Sequence, residues 1–350
     1  MNTPALSGAE IRAASAENAS LRERDLATKL GISEAQLVAA RVGSGVTRIA
    51  VHPDQVMPAA EALGEVMALT RNNSCVHEKV GRYANYHPGD HAAMVLTPEI
   101  DLRIFPSHWV HGFAVEKETE AGTKRSVQVF DTAGDAVHKI HLRDASDLSA
   151  WEALKCDLAL PDQEDMLSVS PCRPPEAPKS RPDKRDILLR EWDRLTDTHQ
   201  FLRLCSKLKM NRLGAYRIAG APYVTRLAPT AVDSMFEAVR DAGCEIMFFV
   251  GNKGCIQIHN GPVHRLKQMG PWQNILDPGF DMHLRRDHIA EVWAVTKPTQ
   301  RGPVHSVEVF DAEGSLICQA FPVSKDDNDH RPAWKPIFDG LERLEPEDVQ

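Results

Sequence analysis

The sequence predicts an α+β protein built of two structurally similar repeats, each with N-terminal helices and a large, mainly antiparallel sheet. Three observations predict it. Blocks of the first half recur in the second at a near-constant offset, helical and strand-like patterns are segregated within each copy rather than alternating, and a proline-rich stretch separates the copies.

The recurrence is the primary signal. Val127, Phe130, Asp131 and Gly134 of RSVQVFDTAGDAV return as Val307, Phe310, Asp311 and Gly314 of HSVEVFDAEGSLI, an offset of 180. Upstream, LTPEIDLRIFPSHWVHGFAVEKE lies over LDPGFDMHLRRDHIAEVWAVTKP at the same offset, pairing Asp101 with Asp281 and Phe113 with Trp293. LATKLGIS and LCSKLKMN, and the VTR at 46–48 and 224–226, are related by 178, so the second copy is two residues shorter between these blocks. The expected organisation is a first repeat over 1–160, a linker over 161–186 with six prolines, and a second repeat over 187–350.

Each copy opens with helices. Leu21–Leu30 is helical by periodicity, Ser33–Arg41 begins with an N-capping serine and Gln36 three residues on, and the apolar spacing of Val56–Leu69 predicts a further helix. Strands follow at Cys75–Lys79, Asp101–Ile104, Trp109–Glu116, Ser126–Asp131 and Ala136–Ile140, with FDTAG and FDAEG as turns between antiparallel neighbours. No GxGxxG or P-loop accompanies them, which argues against a nucleotide fold.

The 350 residues carry 42% apolar and 26% charged side chains, the balance of a globular protein. A net charge of -8 provides no overall field for nucleic acid or anionic lipid. Seven scattered cysteines without a CxxC pair point to a reducing, cytoplasmic setting rather than a disulfide framework or thiolate metal cluster. No apolar run is long enough to span a bilayer, and no secretory leader is expected.

The strongest chemical candidate follows the linker. In DILLREWDRLTDTHQFLRLCSKLK, residues Leu188, Trp192, Leu195, His199 and Leu202 fall at spacings of four, three, four and three, which places His199 on the apolar stripe of one helix. There it is either a hydrogen-bonded core histidine or a ligand to metal or haem. At the 178 offset it corresponds to Leu21, so whatever it does is done once per molecule. The pairs His87/His91, His108/His111 and His138/His141 lack a third ligand and an HExxH frame, and read as ordinary surface or loop histidines.

Taken together, LGISEAQLVAAR, VMALTRNNSCVHEK, IDLRIFPSHW, SVQVFDTAGDAVHKI, TDTHQF and WAVTKP resemble the bacterial cytoplasmic hemin-degrading and haem-trafficking proteins of the HemS/ChuS type, themselves tandem duplications. The resemblance covers roughly residues 20–158 and 186–323. It implies one haem b held between the repeats, with His199 of TDTHQF as proximal iron ligand, Arg103 of DLRIFPSHW on the distal side and Lys297 of WAVTKP on a propionate. As residue types these suit the task. A neutral imidazole can ligate iron while its other nitrogen meets an acceptor such as Asp197 or a helix carbonyl, and an arginine can hold a water and stabilise developing negative charge.

Phe105, Trp109 and Phe113 are candidate apolar walls, although an aromatic-rich strand is more often plain core. Arg212, Tyr216 and Arg217 are candidate propionate partners by their nearness in sequence to the haem helix. The chain departs from the family where a glycine and an arginine are expected: Pro322 and Ser324 stand there, leaving Lys325 or Arg331 as substitutes.

The function expected is haem binding in uptake and iron acquisition. Oxidative degradation would require O2 and an external electron donor, whereas a carrier or storage protein would need neither. A haem importer, a downstream acceptor protein and a reductase are the expected protein partners. A different class is represented by RDLATKLGISEAQLVAAR, residues 24–41, which reads as a DNA-binding helix-turn-helix, but its second helix supplies only Arg41 as a cation.

Overall fold

In the computed structural model, residues 6–325 and 327–345 are described. The chain forms two compact units. Unit 1 comprises the chain up to Arg71, His77–Arg173 and Gly251–Gln257; unit 2 comprises Asn72–Val76, Pro174–Val250 and the chain from Ile258. The two short segments are repeat-equivalent turns, Asn72 and Cys75 standing where Asn252 and Cys255 stand 180 residues later.

Unit 1 begins with helices α1 (Gly8–Glu17), α2 (Glu23–Leu30) and α3 (Glu34–Ala39). Gly31 ends α2 in the left-handed conformation, and Ser33 caps α3 in a reciprocal box with Gln36. After strand β1 (Val46–Arg48) comes α4 (Pro53–Ala62), then β2 (Glu65–Arg71) and β3 (Cys75–Arg82), whose residues from His77 belong to this unit. A three-strand meander, β4 (Tyr86–His87), β5 (Ala93–Leu96) and β6 (Asp101–Ile104), precedes the long strands β7 (His111–Thr119), β8 (Gly122–Phe130) and β9 (Ala136–Leu142), and α5 (Leu148–Leu158) closes the copy. The main strands lie in the order β1-β7-β8-β9-β2-β3.

The linker lies along both units in turn. Its first part is tied to unit 1 by buried Leu167, by Gln36 donating to the Leu167 carbonyl and by the Arg12–Asp165 ion pair. Its second part is tied to unit 2 through Asn211, which meets the backbone at Ala177 and Lys179.

Unit 2 repeats the plan. Helices α6 (Arg185–Trp192), α7 (Gln200–Leu208) and α8 (Arg212–Ala219) are followed by β10 (Val224–Leu227), α9 (Ala231–Asp241), β11 (Ile246–Gly251) and β12 (Cys255–Gly261). The meander is β13 (Leu266–Met269), β14 (Trp272–Asp277) and β15 (Phe280–Arg285). Then come β16 (Glu291–Lys297), β17 (Val304–Phe310), β18 (Leu316–Pro322), the small hairpin β19 (Ser324–Lys325) and β20 (Asn328–Asp329), and α10 (Arg331–Gly340). Strand order β10-β16-β17-β18-β11-β12 matches unit 1. The correspondence reaches irregularities: both copies shift register at the same point, between Val129 and Phe130 and between Val309 and Phe310. No helix among the described residues is long and apolar enough to cross a membrane.

Two helical expectations are corrected. Val56–Leu69 is not one helix: α4 ends before Gly64, whose φ of +76° breaks the spiral, and Glu65–Arg71 continues as a strand with Val66, Ala68 and Thr70 buried on one face. The stripe from Leu188 to Leu202 is likewise interrupted. α6 stops at Trp192, and α7 restarts at Gln200 with a new buried face of Phe201, Leu204, Cys205 and Leu208.

The helix-turn-helix outline at residues 24–41 is present as α2 and α3, but five of the six residues of α3 are buried, including Glu34. A helix packed in that way has no face to lay in a groove, and the DNA-binding alternative is set aside.

Candidate functional site

His199 occupies the turn between α6 and α7. Its side chain is 94% exposed, so it is not a core histidine. The local sequence explains the placement. Asp197 accepts hydrogen bonds at 2.7 Å from both the His199 backbone N–H and the ring Nδ1, and the Gln200 side chain reaches back to the Thr196 N–H at 3.0 Å and to the Thr196 hydroxyl. Asp and Thr satisfy the backbone locally instead of continuing the helix, and the residues beyond rotate onto a different face.

The two bonds from His199 hold the Asp197 carboxyl below its usual range. With Nδ1 committed to Asp197, the ring presents Nε2 outward, the geometry that an axial iron ligand with an anchored tautomer requires. Leu202, one turn on, is 52% exposed, an apolar surface beside the imidazole. The residues present therefore fit a haem ligand.

Beneath the first turn of α7 lies an aromatic cluster. Phe201 packs on Trp192 at 4.5 Å between ring centroids and stacks on Tyr216 at 5.5 Å, and the Lys297 ammonium sits 4.9 Å from the Phe201 ring. Lys297 is buried rather than at a pocket mouth, donating to Glu308 at 2.8 Å and to the Tyr216 hydroxyl at 3.0 Å. Arg212 donates to the other oxygen of Glu308 at 2.7 Å. Three candidate propionate partners, Lys297, Arg212 and Tyr216, thus belong to one network closed on a fully buried carboxylate. Burial opposes ionisation of Glu308, but Lys297 and Arg212 outweigh it and hold its carboxyl well below the ordinary range. Arg217 is likewise paired, with Glu291.

The candidates in unit 1 separate into two kinds. Arg103 lies on β6 opposite Met94, its guanidinium about one third exposed and paired with Asp101. Phe105 is half-buried, and its N–H is held by the Gly254 carbonyl at 3.0 Å. Phe113 is not a pocket wall: it is 1% exposed, edge-on to Phe130 in the core against α3. Trp109 is also core, its indole N–H donating to Gly254. Phe113 falls on the inward face of β7, where aromatic volume fills space between sheet and helix, whereas Trp109 lies in the turn before that strand. Of the tail substitutes, Lys325 is exposed in the small hairpin, and Arg331 is paired with Asp329 and the Arg301 carbonyl.

His138 is a fully buried member of a polar chain in unit 1. Tyr83 meets its Nε2 at 2.5 Å and Thr70 its Nδ1 at 2.8 Å, and Thr70 continues to Gln257. No group of three His, Cys, Asp or Glu among the described residues is arranged to hold a metal ion.

Glu308 is the residue that sequence reasoning missed. Its signal was a paired change between copies: Gln128 becomes Glu308 where Glu34 becomes Arg212.

The model for the Haemin-degrading HemS.ChuX domain matches the chain twice, over residues 31–158 and 209–341. Hemin transport protein HmuS of Yersinia pestis is 36% identical over 323 residues, covering 92% of this chain and 93% of that one. The haem-bound structure of PhuS, a heme-binding protein from Pseudomonas aeruginosa, superposes with a TM-score of 0.92 at 41% identity, covering 97% and 100%. ChuS, an E. coli heme oxygenase, gives a TM-score of 0.82 at 32% identity, covering 91% and 95%.

Proposed function

Because the chain belongs to the Haemin-degrading HemS.ChuX domain family, we propose that it is a haem-binding protein of haem uptake and iron acquisition that holds iron through His199 and opens the ring oxidatively. The observation that carries this reading is the His199–Asp197 pair, an outward imidazole fixed at Nδ1 and present in one copy only. Bound haem supplies the redox-active iron at which O2 and electrons from an external donor are consumed.

The chain's own contribution begins with Asp197, which accepts from Nδ1–H and so leaves Nε2 as the nitrogen that would ligate haem iron. Arg103 takes the distal role that the resemblance implies: a permanently charged donor, oriented by Asp101, that stabilises negative charge as it develops. The Lys297–Glu308–Arg212 network holds the floor of α7 in place through Phe201 rather than spending its charges on propionates. A reductase and a haem importer or acceptor are the partners this reading calls for.

The relatives divide between haem binding in PhuS and haem oxygenase chemistry in ChuS. A haemin absorption titration of wild type and His199→Ala tests the ligand. Addition of O2 and a reductant with catalase present then tests degradation, catalase removing peroxide that attacks haem unaided. Loss of the haem bands with formation of an open tetrapyrrole is expected, whereas full recovery of intact haem leaves carriage alone.

A further inference from the structure

The first copy has a leucine where the second has His199, but next to it unit 1 has a cavity. About 320 Å3 opens beside the first turn of α2, within the size range of small-molecule sites. Four cations line it: Arg22, Arg24, Arg71 and Lys139. Two carboxylates, Glu23 and Glu34, also line it, and both are engaged. Glu23 faces Arg41 at 3.8 Å and Lys117 at 3.7 Å, while Glu34 is shared by Arg71 and Lys139. The lining therefore carries two positive charges in excess, in a chain whose net charge is -8. His141 adds no charge at neutral pH, since burial, Lys139 and Lys124 lower its pKa to about 4.

Two further features point to an occupant. Arg22, at the N-cap of α2, makes no side-chain capping bond, so the positive end of the helix dipole adds to the cations that line the cavity. Gln128 is 4% exposed and lines the same cavity; its amide nitrogen donates to Ser126 at 3.1 Å, but its Oε1 has no partner among the described residues. A buried amide oxygen calls for a donor.

The fold does not demand these residues. At the equivalent positions of the second copy the four cations are replaced by Gln200, Leu202, Gly251 and Gln319, and Gln128 by Glu308. The cationic cavity is a property of the first copy alone.

We propose that this cavity binds a small hydroxy-carboxylate, its carboxylates held by Arg22, Arg24, Arg71 and Lys139 and its hydroxyl donating to Gln128 Oε1. The proposal is independent of the haem reading, since none of these residues is assigned to haem.

The test is calorimetric titration of the full chain, haem-free, with citrate and with tricarballylate, the same tricarboxylate lacking the hydroxyl. Citrate is expected to bind saturably, one per chain, about tenfold more tightly than tricarballylate and more weakly as salt rises. Arg22→Ala with Arg24→Ala, changes near the surface, should weaken citrate about tenfold. Gln128→Leu, with its melting curve recorded as a check on folding, should erase the preference for citrate while leaving tricarballylate unchanged. The site is refuted by absence of saturable heat up to about 10 mM citrate, by equal binding to the double arginine variant, or by displacement of prebound haemin, which would make citrate a reporter of the haem site.

Discussion

Glu34 and Arg212 occupy the same position in the two copies, directly after the capping residues Ser33 and Asn211, and carry opposite charges into equivalent places. In unit 1 Glu34 is the buried acceptor of Lys139 and Arg71. In unit 2 Arg212 is a donor to buried Glu308, which also binds Lys297. Duplication preserved the backbone and a buried carboxylate between two cations, while that carboxylate moved from the helix in unit 1 to strand β17 in unit 2.

His199→Ala should remove the imidazole-ligated haem spectrum without lowering the melting temperature, because the side chain is 94% exposed. Asp197→Ala should keep histidine ligation but weaken haemin binding by roughly 10- to 100-fold, the effect of losing the group that orients a ligand. Absorption titrations and thermal melts check both. An unchanged spectrum in His199→Ala would remove the proximal assignment.

Glu308→Gln should destabilise the chain by roughly 3–5 kcal/mol, since it leaves Lys297 and Arg212 inside unit 2 without their counter-charge. Urea unfolding gives the measurement. A paired Glu308→Leu, Lys297→Met variant should lose less than the sum of the single changes, because it removes charges together.

His138 makes stability pH-dependent in a defined window. Burial and the neighbouring His141 lower its pKa to about 3, against about 6.5 in an unfolded chain. Between those values the unfolded state binds the extra proton, so this contribution is complete above about pH 6.5 and declines as pH falls toward 3. The slope is roughly 1.4 kcal/mol per pH unit for one such group. Denaturation midpoints from pH 4 to 8 should show it in wild type, and a His138→Gln variant should show a shallower slope.

Lys209 ends α7 with φ of +58°, where the first copy uses Gly31 at +67°. Lys209→Gly should stabilise the chain by about 1 kcal/mol, the cost of holding an L side chain in the left-handed region. The denaturation midpoint should rise at constant slope.

Much of the fold was legible because it is written locally or by comparison of the copies. The capping box at Ser33–Gln36, the turn following Phe130 and its twin following Phe310 could be read residue by residue. The break at Gly64 was obscured because a helical spacing of apolar residues runs into the alternation of a strand. His199 was singled out by the apolar spacing of its segment and then by the family resemblance, yet that spacing pointed to the wrong face: the turn at Asp197 and Thr198 resets the phase of the helix that follows.

From the sequence by itself came the duplication, the α+β class, the family resemblance and the singular histidine. Only the tertiary structure decided which charged candidates are spent internally. Arg212 meets Glu308 across 96 residues, and Lys139 meets Glu34 across 105. Periodicity records which way a side chain faces within its own element, whereas burial of a charge depends on a partner delivered by another element, and Glu308 on the neighbouring strand β17 made Lys297 part of the core.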